Sequence, residues 1–228
     1  MLSITSEEWN AITLSLQVAI LATLCVLPFG VFIAFILARC NFWGKSLLNA
    51  CVHLPLILPP VVVGYLLLLL FGRNGVIGRS VYENFGLSLA FNWFGAALAS
   101  GIMGFPLLVR SVQLSIESID AKLEQAASTL GASPLRVLVT ITLPLALPGM
   151  LAGAILCFAK ALGEFGATIT FVSNIPGETQ TIASAIYSLI QTPGGDIAVL
   201  RLMTVSILIG FATLLISDMF FKRMKAKV

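Results

Sequence analysis

The chain has 228 residues, 58% of them hydrophobic and only 10% charged, with 13 Lys and Arg against 10 Asp and Glu. Soluble domains carry about 25% charged residues, so this chain cannot cover a water-soluble surface, and its mean hydropathy of +1.03 points to a polytopic membrane protein lying in the lipid bilayer. An excess of +3, with no basic stripe interleaved with aromatics, excludes nucleic acid as a partner.

The first ten residues, MLSITSEEWN, hold Glu7 and Glu8 where a cleavable signal carries basic residues, so the first apolar run is expected to remain as a membrane helix. A hydrocarbon core about 30 Å thick takes roughly 20 apolar residues in helical form. Five stretches have that length: 12–38, 47–71, 93–109, 145–171 and 200–221. The expected fold class is therefore an all-α integral membrane protein, one transmembrane domain over 1–228, with five spans. The third stretch is the shortest and weakest. Cys25, Cys40, Cys51 and Cys157 lie in or beside apolar runs without CxxC spacing or a His cluster, and read as small buried hydrophobes rather than metal ligands.

In the second stretch Pro55, Pro59 and Pro60, followed by Gly64, interrupt backbone hydrogen bonding. The freed carbonyls need partners in protein or water, which favours an interior position over a lipid-facing one. The kinks serve either a gate or the packing alone, and Pro28 with Gly30 and Pro106 with Gly101 and Gly104 read the same way. His53 has no second ligand nearby and reads as a hydrogen-bonded structural histidine. Gly149 and Gly153 form a small-xxx-small pair that admits a close neighbouring helix. The segment 181–190, between the Gly- and Pro-rich SNIPGETQ and QTPGGD, is expected to be a short helix at the outer surface, dipping part-way into the membrane.

Nine Lys and Arg fall on one side of this arrangement and three on the other. The positive-inside bias then places the N-terminus outside and the C-terminus in the cytoplasm, which an odd number of spans satisfies. The loop 110–144 lies on the basic side, and from Arg110 to Thr142 it carries three basic and three acidic residues. Asp120 suits a helix N-cap, 122–129 is rich in helix formers, Gly131 suits a helix end, and Pro134 suits the first turn of a second short helix, with Pro144 before the fourth span. Such a loop is either an amphipathic element on the inner leaflet or a docking element filling a groove on a soluble partner.

Here the residues carry a resemblance. Gln125-Ala126-Ala127, three residues, Gly131, nine residues and Ile141-Thr142-Leu143-Pro144 are similar to the EAA motif of binding-protein-dependent ABC importer permeases, whose pattern is EAA, three residues, G, nine residues, I-x-L-P. Gln125 stands where the motif has Glu, and the carboxylate is one residue earlier, at Glu124. The resemblance implies a type I ABC importer permease fold with a cytoplasmic coupling helix near 121–134. Glu124, Gln125, Ala126, Ala127, Leu130, Gly131 and Pro134 would meet the nucleotide-binding subunit, and Ile141, Leu143 and Pro144 close the motif. The segments HLPLILPPVVVGYLLLL (53–69), KLEQAASTLGASPLRV (122–137) and FAKALGEFGATITFVSNIPGETQTI (158–182) resemble the molybdate branch of that family, and sulfate permeases look similar around GEFGA. This implies a second copy of the chain, two ATP-binding cassette subunits that hold ATP and Mg, a periplasmic molybdate-binding protein, and a place in the bacterial cytoplasmic membrane.

Lys160 and Glu164 lie deep in the fourth stretch, four residues apart and so on one helix face. An ionisable residue at membrane depth costs at least ~2.5–3.5 kcal/mol. Either the pair neutralises itself against a neighbouring helix, or it stands on the translocation path with Pro59 and Pro60, Lys160 attracting a passing oxyanion and Glu164 keeping it from being trapped. No GxxxxGK[ST] loop cradles a nucleotide and no nucleophile–base pair appears, so neither a catalytic residue, a metal site nor a cofactor is expected on this chain. A sulfate or tungstate permease is the nearest alternative. A secondary transporter would show acidic residues in several spans and inverted repeats, and a structural anchor would leave the Lys160–Glu164 pair unexplained.

Overall fold

The computed structural model describes residues 4–225, with side chains through 219. Among the described residues every regular element is helical: α1 (Ser6–Arg39), α2 (Lys45–Ile57), α3 (Pro60–Phe71), α4 (Val76–Phe85), α5 (Trp93–Glu117), α6 (Ala121–Thr129), α7 (Pro134–Val137), α8 (Leu143–Leu162), α9 (Gly166–Val172), α10 (Ile182–Ile190) and α11 (Asp196–Lys225). A π turn, Leu138–Thr142, joins α7 to α8, so that Pro134–Leu162 is a single helical run rather than a short helix followed by a separate span.

The stretch expected to be weakest is the hub. α5 runs between α1 and α8, continues to Glu117 rather than ending near 109, and is the most buried of the long helices. The loop expected from 110 therefore starts only at Ser118. Low hydropathy in α5 reflects Gly, Ala and Ser, which contribute little apolar bulk but let backbones approach closely in lipid. A Cβ on Gly104 would lie 2.6 Å from Cys157 Sγ, and one on Gly153 would lie 2.9 Å from the Leu108 carbonyl oxygen. The Ser111 hydroxyl donates to the Gly149 carbonyl at 3.1 Å across the same seam.

Proline decides where the second span breaks. α2 and α3 are bent by 114° at Leu58–Pro59; among the described residues four helices are individually long and apolar enough to cross a membrane, and a fifth crossing requires this bent pair to count as one. Leu58 (φ −70°, ψ 144°) and Pro59 (φ −54°, ψ 132°) are both extended. A residue before proline is pushed out of the helical region, and two prolines in succession impose that twice. Pro55 stays inside α2. Within this chain α2 and α3 are peripheral, burying Val52, Val63, Gly64 and Leu67 while Leu54, Ile57, Val61, Tyr65 and Leu69 are exposed.

The stretch 145–171 is divided as well, because α8 stops at Leu162 and α9 starts at Gly166. Lys160 and Glu164 therefore do not share one helix face; Glu164 lies beyond the end of α8. Of the cysteines only Cys157 is buried, and Cys25, Cys40 and Cys51 lie on the surface of the chain. The His53 ring nitrogen Nδ1 lies 2.9 Å from the Asn49 carbonyl oxygen, one turn back on α2.

Two ion pairs fix the ends of the bundle. At one end Glu8, in the capping box that opens α1, receives the Arg201 guanidinium of α11 at 2.6 Å, and Ser15 accepts from the Ile182 amide at 2.7 Å, fastening α10 beneath it. At the other end Arg39, the last residue of α1, meets Glu124 of α6.

Candidate functional site

The knob formed by α6 and α7 is built by local capping. The Asp120 carboxylate accepts from the Lys122 amide at 2.9 Å, satisfying a donor left free at the helix start. Gly131, at φ +85°, turns the chain out through the left-handed region that glycine adopts without strain. The Ala132 amide then donates to the Ala127 carbonyl at 3.1 Å, closing the helix end. Ser133 caps α7, and Pro134 occupies its first turn, where no amide is needed.

This knob presents an apolar surface on a polar base. α6 buries none of its side chains. Leu130 is 89% exposed and Leu135 70% exposed, with Leu123, Gln125 and Ala126 also at the surface and Ala127 half-buried. Leu123, Leu130 and Leu135 thus form an exposed apolar patch on a capped helix pair.

Glu124 does something different from its neighbours. Its carboxylate turns inward, 3.1 Å from Arg39 Nε, and accepts from the Thr142 hydroxyl at 2.7 Å. Arg39 also donates to the Ile119 carbonyl at 3.2 Å. Gln125, at the motif's Glu position, is the exposed one. Sequence reading placed Arg39 only in the charge asymmetry and Thr142 only as the variable residue of the motif. Nothing local signals a partner 85 residues away. Ile141 and Leu143 are half-buried and Pro144 is exposed. Pro144 has no amide to donate to the Thr140 carbonyl, and its ring displaces that carbonyl. The turn widens instead, and the Leu143 amide reaches back to Leu138.

The second cluster lies where two broken helices meet. Lys160 Nζ is 2.5 Å from Glu164 Oε2, and the Ala167 amide donates to Glu164 Oε1 at 3.0 Å. Glu164 is 2% exposed, whereas the Lys160 side chain is 30% exposed. α3 and α9 interlock through one glycine from each. A Cβ on Gly64 would lie 2.5 Å from the Ala167 carbonyl oxygen, and one on Gly166 would lie 2.7 Å from Pro60 Cβ. Pro60 thus sits against the break that holds Glu164, and Pro59 is exposed beside it. The structure brings Lys160, Glu164 and Pro60 into one region and keeps the knob at the other end. An ammonium with three donors, only partly used by one carboxylate and open to its surroundings, can turn toward an anion.

A family model described as "Binding-protein-dependent transport system inner membrane component" matches residues 10–226. The chain is 59% identical to the molybdenum transport system permease protein ModB of Escherichia coli K12, over 94% of both chains. It is 58% identical to that of Haemophilus influenzae Rd, over 97% of this chain and 96% of the relative. A sulfate transport system permease protein of Synechococcus elongatus is 40% identical over 76% of this chain and 60% of its own length. The fold is shared with a bacterial ABC transporter involved in import of the polysaccharide alginate (TM-score 0.76, 19% identity, 96% of this chain and 80% of that one). It is also shared with a methionine ABC transporter in inward-facing conformations (TM-score 0.67, 14% identity, 95% and 93%). With nearly its whole length matched, and with the helical fold of type I ABC transporter permeases, the chain belongs to the binding-protein-dependent transport system inner membrane component family.

Proposed function

We propose that this chain is the membrane-spanning subunit of an ATP-driven importer of molybdate. The observation that carries the reading is its 59% identity, over 94% of both chains, with a molybdenum permease, against 40% over a shorter part of a sulfate permease. The exposed knob of Leu123, Leu130 and Leu135 docks into a nucleotide-binding subunit on the cytoplasmic side, and ATP and Mg are bound there rather than here. The exposed face of α2 and α3 meets a second copy, and the translocation path runs between the two copies. A periplasmic binding protein delivers the anion at the end that carries α4, α9 and α10. In this arrangement the N-terminus is periplasmic and the C-terminus cytoplasmic. Lys160 draws the oxyanion along the path, and Glu164, Pro59 and Pro60 shape the joint beside it.

Co-expressed with the ATPase and binding-protein subunits of its source organism and reconstituted into vesicles, the chain is expected to take up molybdate only when ATP is supplied. Tungstate is expected to compete and a large excess of sulfate is not. Preferential sulfate uptake would overturn the substrate, and uptake without ATP would overturn the class.

The docking surface has its own test. Leu130→Glu places a charge in an apolar contact, which costs several kcal/mol when unpaired and weakens binding of the ATPase subunit by roughly a hundredfold. Co-purification from detergent measures it. Undiminished recovery of the ATPase subunit would remove Leu130 from the interface.

A further inference from the structure

Among the described residues, the side-chain bonds that tie α6 to the bundle all go through one carboxylate. α6 buries no side chain, yet Glu124 links it to two membrane helices at once. Arg39 ends α1 and contacts the carboxylate at 3.1 Å, while Thr142, 1% exposed, ends the π turn that leads into α8 and donates at 2.7 Å. The hydroxyls of Ser128 and Thr129 are used inside α6, on the carbonyls of Glu124 and Ala126.

The π turn supplies the second half of the argument. An i→i+5 turn holds one residue more than an α turn. Resolving it into α geometry shifts the register by one residue, which turns the helix by about 100° and moves it by about 1.5 Å along its axis. Thr142 is the last residue of that turn, so such a shift carries its hydroxyl away from Glu124. The bond between them therefore belongs to the wide form of the turn, which Pro144 favours by leaving the Thr140 carbonyl without its usual donor.

We propose that Glu124 is a positioning residue that couples movement of the docked knob to the register of the π turn. Displacing α6 withdraws Glu124 from Thr142, the 138–142 turn tightens, and α7 with the knob turns against α8, which stays clasped to α5. Glu124 touches neither nucleotide nor transported anion; it acts through Thr142 and Arg39. The inference rests on the reading of α6 and α7 as the docking element, and it gives Glu124 an internal role while Gln125 and the exposed leucines face the partner.

The test uses the whole complex in lipid vesicles, with molybdate as the probe and with uptake and ATP hydrolysis measured separately. Thr142→Val keeps the buried side chain's bulk and removes its donor. Glu124→Gln keeps an acceptor for Thr142 and removes the charge facing Arg39. Both variants are expected to co-purify with the ATPase subunit and to hydrolyse ATP at close to the normal rate. Molybdate carried per ATP is expected to fall about tenfold, which corresponds to roughly 1.4 kcal/mol of coupling. The double variant is expected to fall no further than the more severe single one, because residues acting through one contact are not additive. An unchanged ratio of uptake to hydrolysis in Thr142→Val overturns the proposal. So does a parallel loss of both activities, or loss of assembly in both variants, since each assigns the contact to folding or docking alone. Failure of the underlying reading looks different: the unmodified chain would then not co-purify with an ATPase subunit at all.

Discussion

Gly149→Val is expected to leave little folded protein in the membrane. Gly149 lies where α8 presses on α5, and a Cβ there would run into the Ser115 side chain, with Ser115 Oγ at 2.7 Å and the Ser111 carbonyl oxygen at 3.0 Å. The same two serines also hold the seam together through their hydroxyls. The Ser111 hydroxyl bonds to the Gly149 carbonyl, and the Ser115 hydroxyl reaches the Ala146 carbonyl at 3.5 Å. Relieving the clash requires moving one helix backbone away from the other, and that movement stretches both bonds. Overpacking a core costs about 1–3 kcal/mol when side chains can adjust. With backbone in the way and two bonds at about 1 kcal/mol each at risk, we expect a loss of about 3 kcal/mol or more, a large share of a total stability of about 5–15 kcal/mol. Denaturant unfolding of the detergent-purified chain measures it. Gly163→Ala is the control, since a Cβ at Gly163 has as its nearest neighbour the Ala159 carbonyl oxygen at 3.9 Å; it should be nearly neutral. Equal stability of the two variants would show that α5 and α8 are not held at backbone distance.

Lys160→Met, alone and together with Glu164→Gln, separates the two roles the sequence leaves open for this pair. The single change strands a carboxylate that is 2% exposed. Removing one partner of a buried pair costs about 3–5 kcal/mol, and the 30% exposure of the Lys160 side chain places the expected loss at the lower end of that range. The double change replaces the pair with two neutral groups, and the amide oxygen can still accept from Ala167. Stability is therefore expected to return. Uptake is not expected to return if the ammonium serves the anion: losing one charge-assisted hydrogen bond to the passing oxyanion, worth about 1.5–3 kcal/mol, lowers uptake roughly 10- to 100-fold. Full uptake by a stable double variant would reduce the pair to mutual neutralisation and take Lys160 off the path.

The parts of this structure that were legible in the sequence are those fixed by local chemistry. Asp120, Gly131 and Pro134 announce the ends of α6 and the start of α7 because capping involves residues two to four positions apart. Long apolar runs locate α1 and α11 for a similar reason, since length against membrane thickness is a one-dimensional property. Hydropathy misjudged α5 because it measures apolar bulk, whereas helices in lipid associate through small residues such as Gly104 and Ala96, which is fully buried. It also ran α2 into α3 and α8 into α9, because an apolar run says nothing about direction. The adjacent Pro59 and Pro60 were the available sign of the first break, and Gly163 with Gly166 that of the second. The partners of Glu124 and Glu8 were beyond reach. Arg39 and Arg201 approach them only after the bundle has folded, and no spacing rule joins residues 85 or 193 positions apart.

The glycine seams have a mechanical consequence. Gly30 of α1 lies against Leu108 of α5, and Gly104, Gly149 and Gly153 bring α5 against α8. Rods clasped this tightly cannot slide past one another without prising backbones apart, so α1, α5 and α8 travel as a solid trunk. Compliance is left to the slender parts: the elbow at Leu58–Pro59, the bend over 163–165 pressed against it, and α11, which is nearly bare over its apolar stretch within Asp196–Met219. Both elbows lie on one flank, and at each the ladder is interrupted, since Pro59 and Pro60 have no amide to donate and α8 stops at Leu162 before α9 starts at Gly166, so the trunk can swing there at little cost.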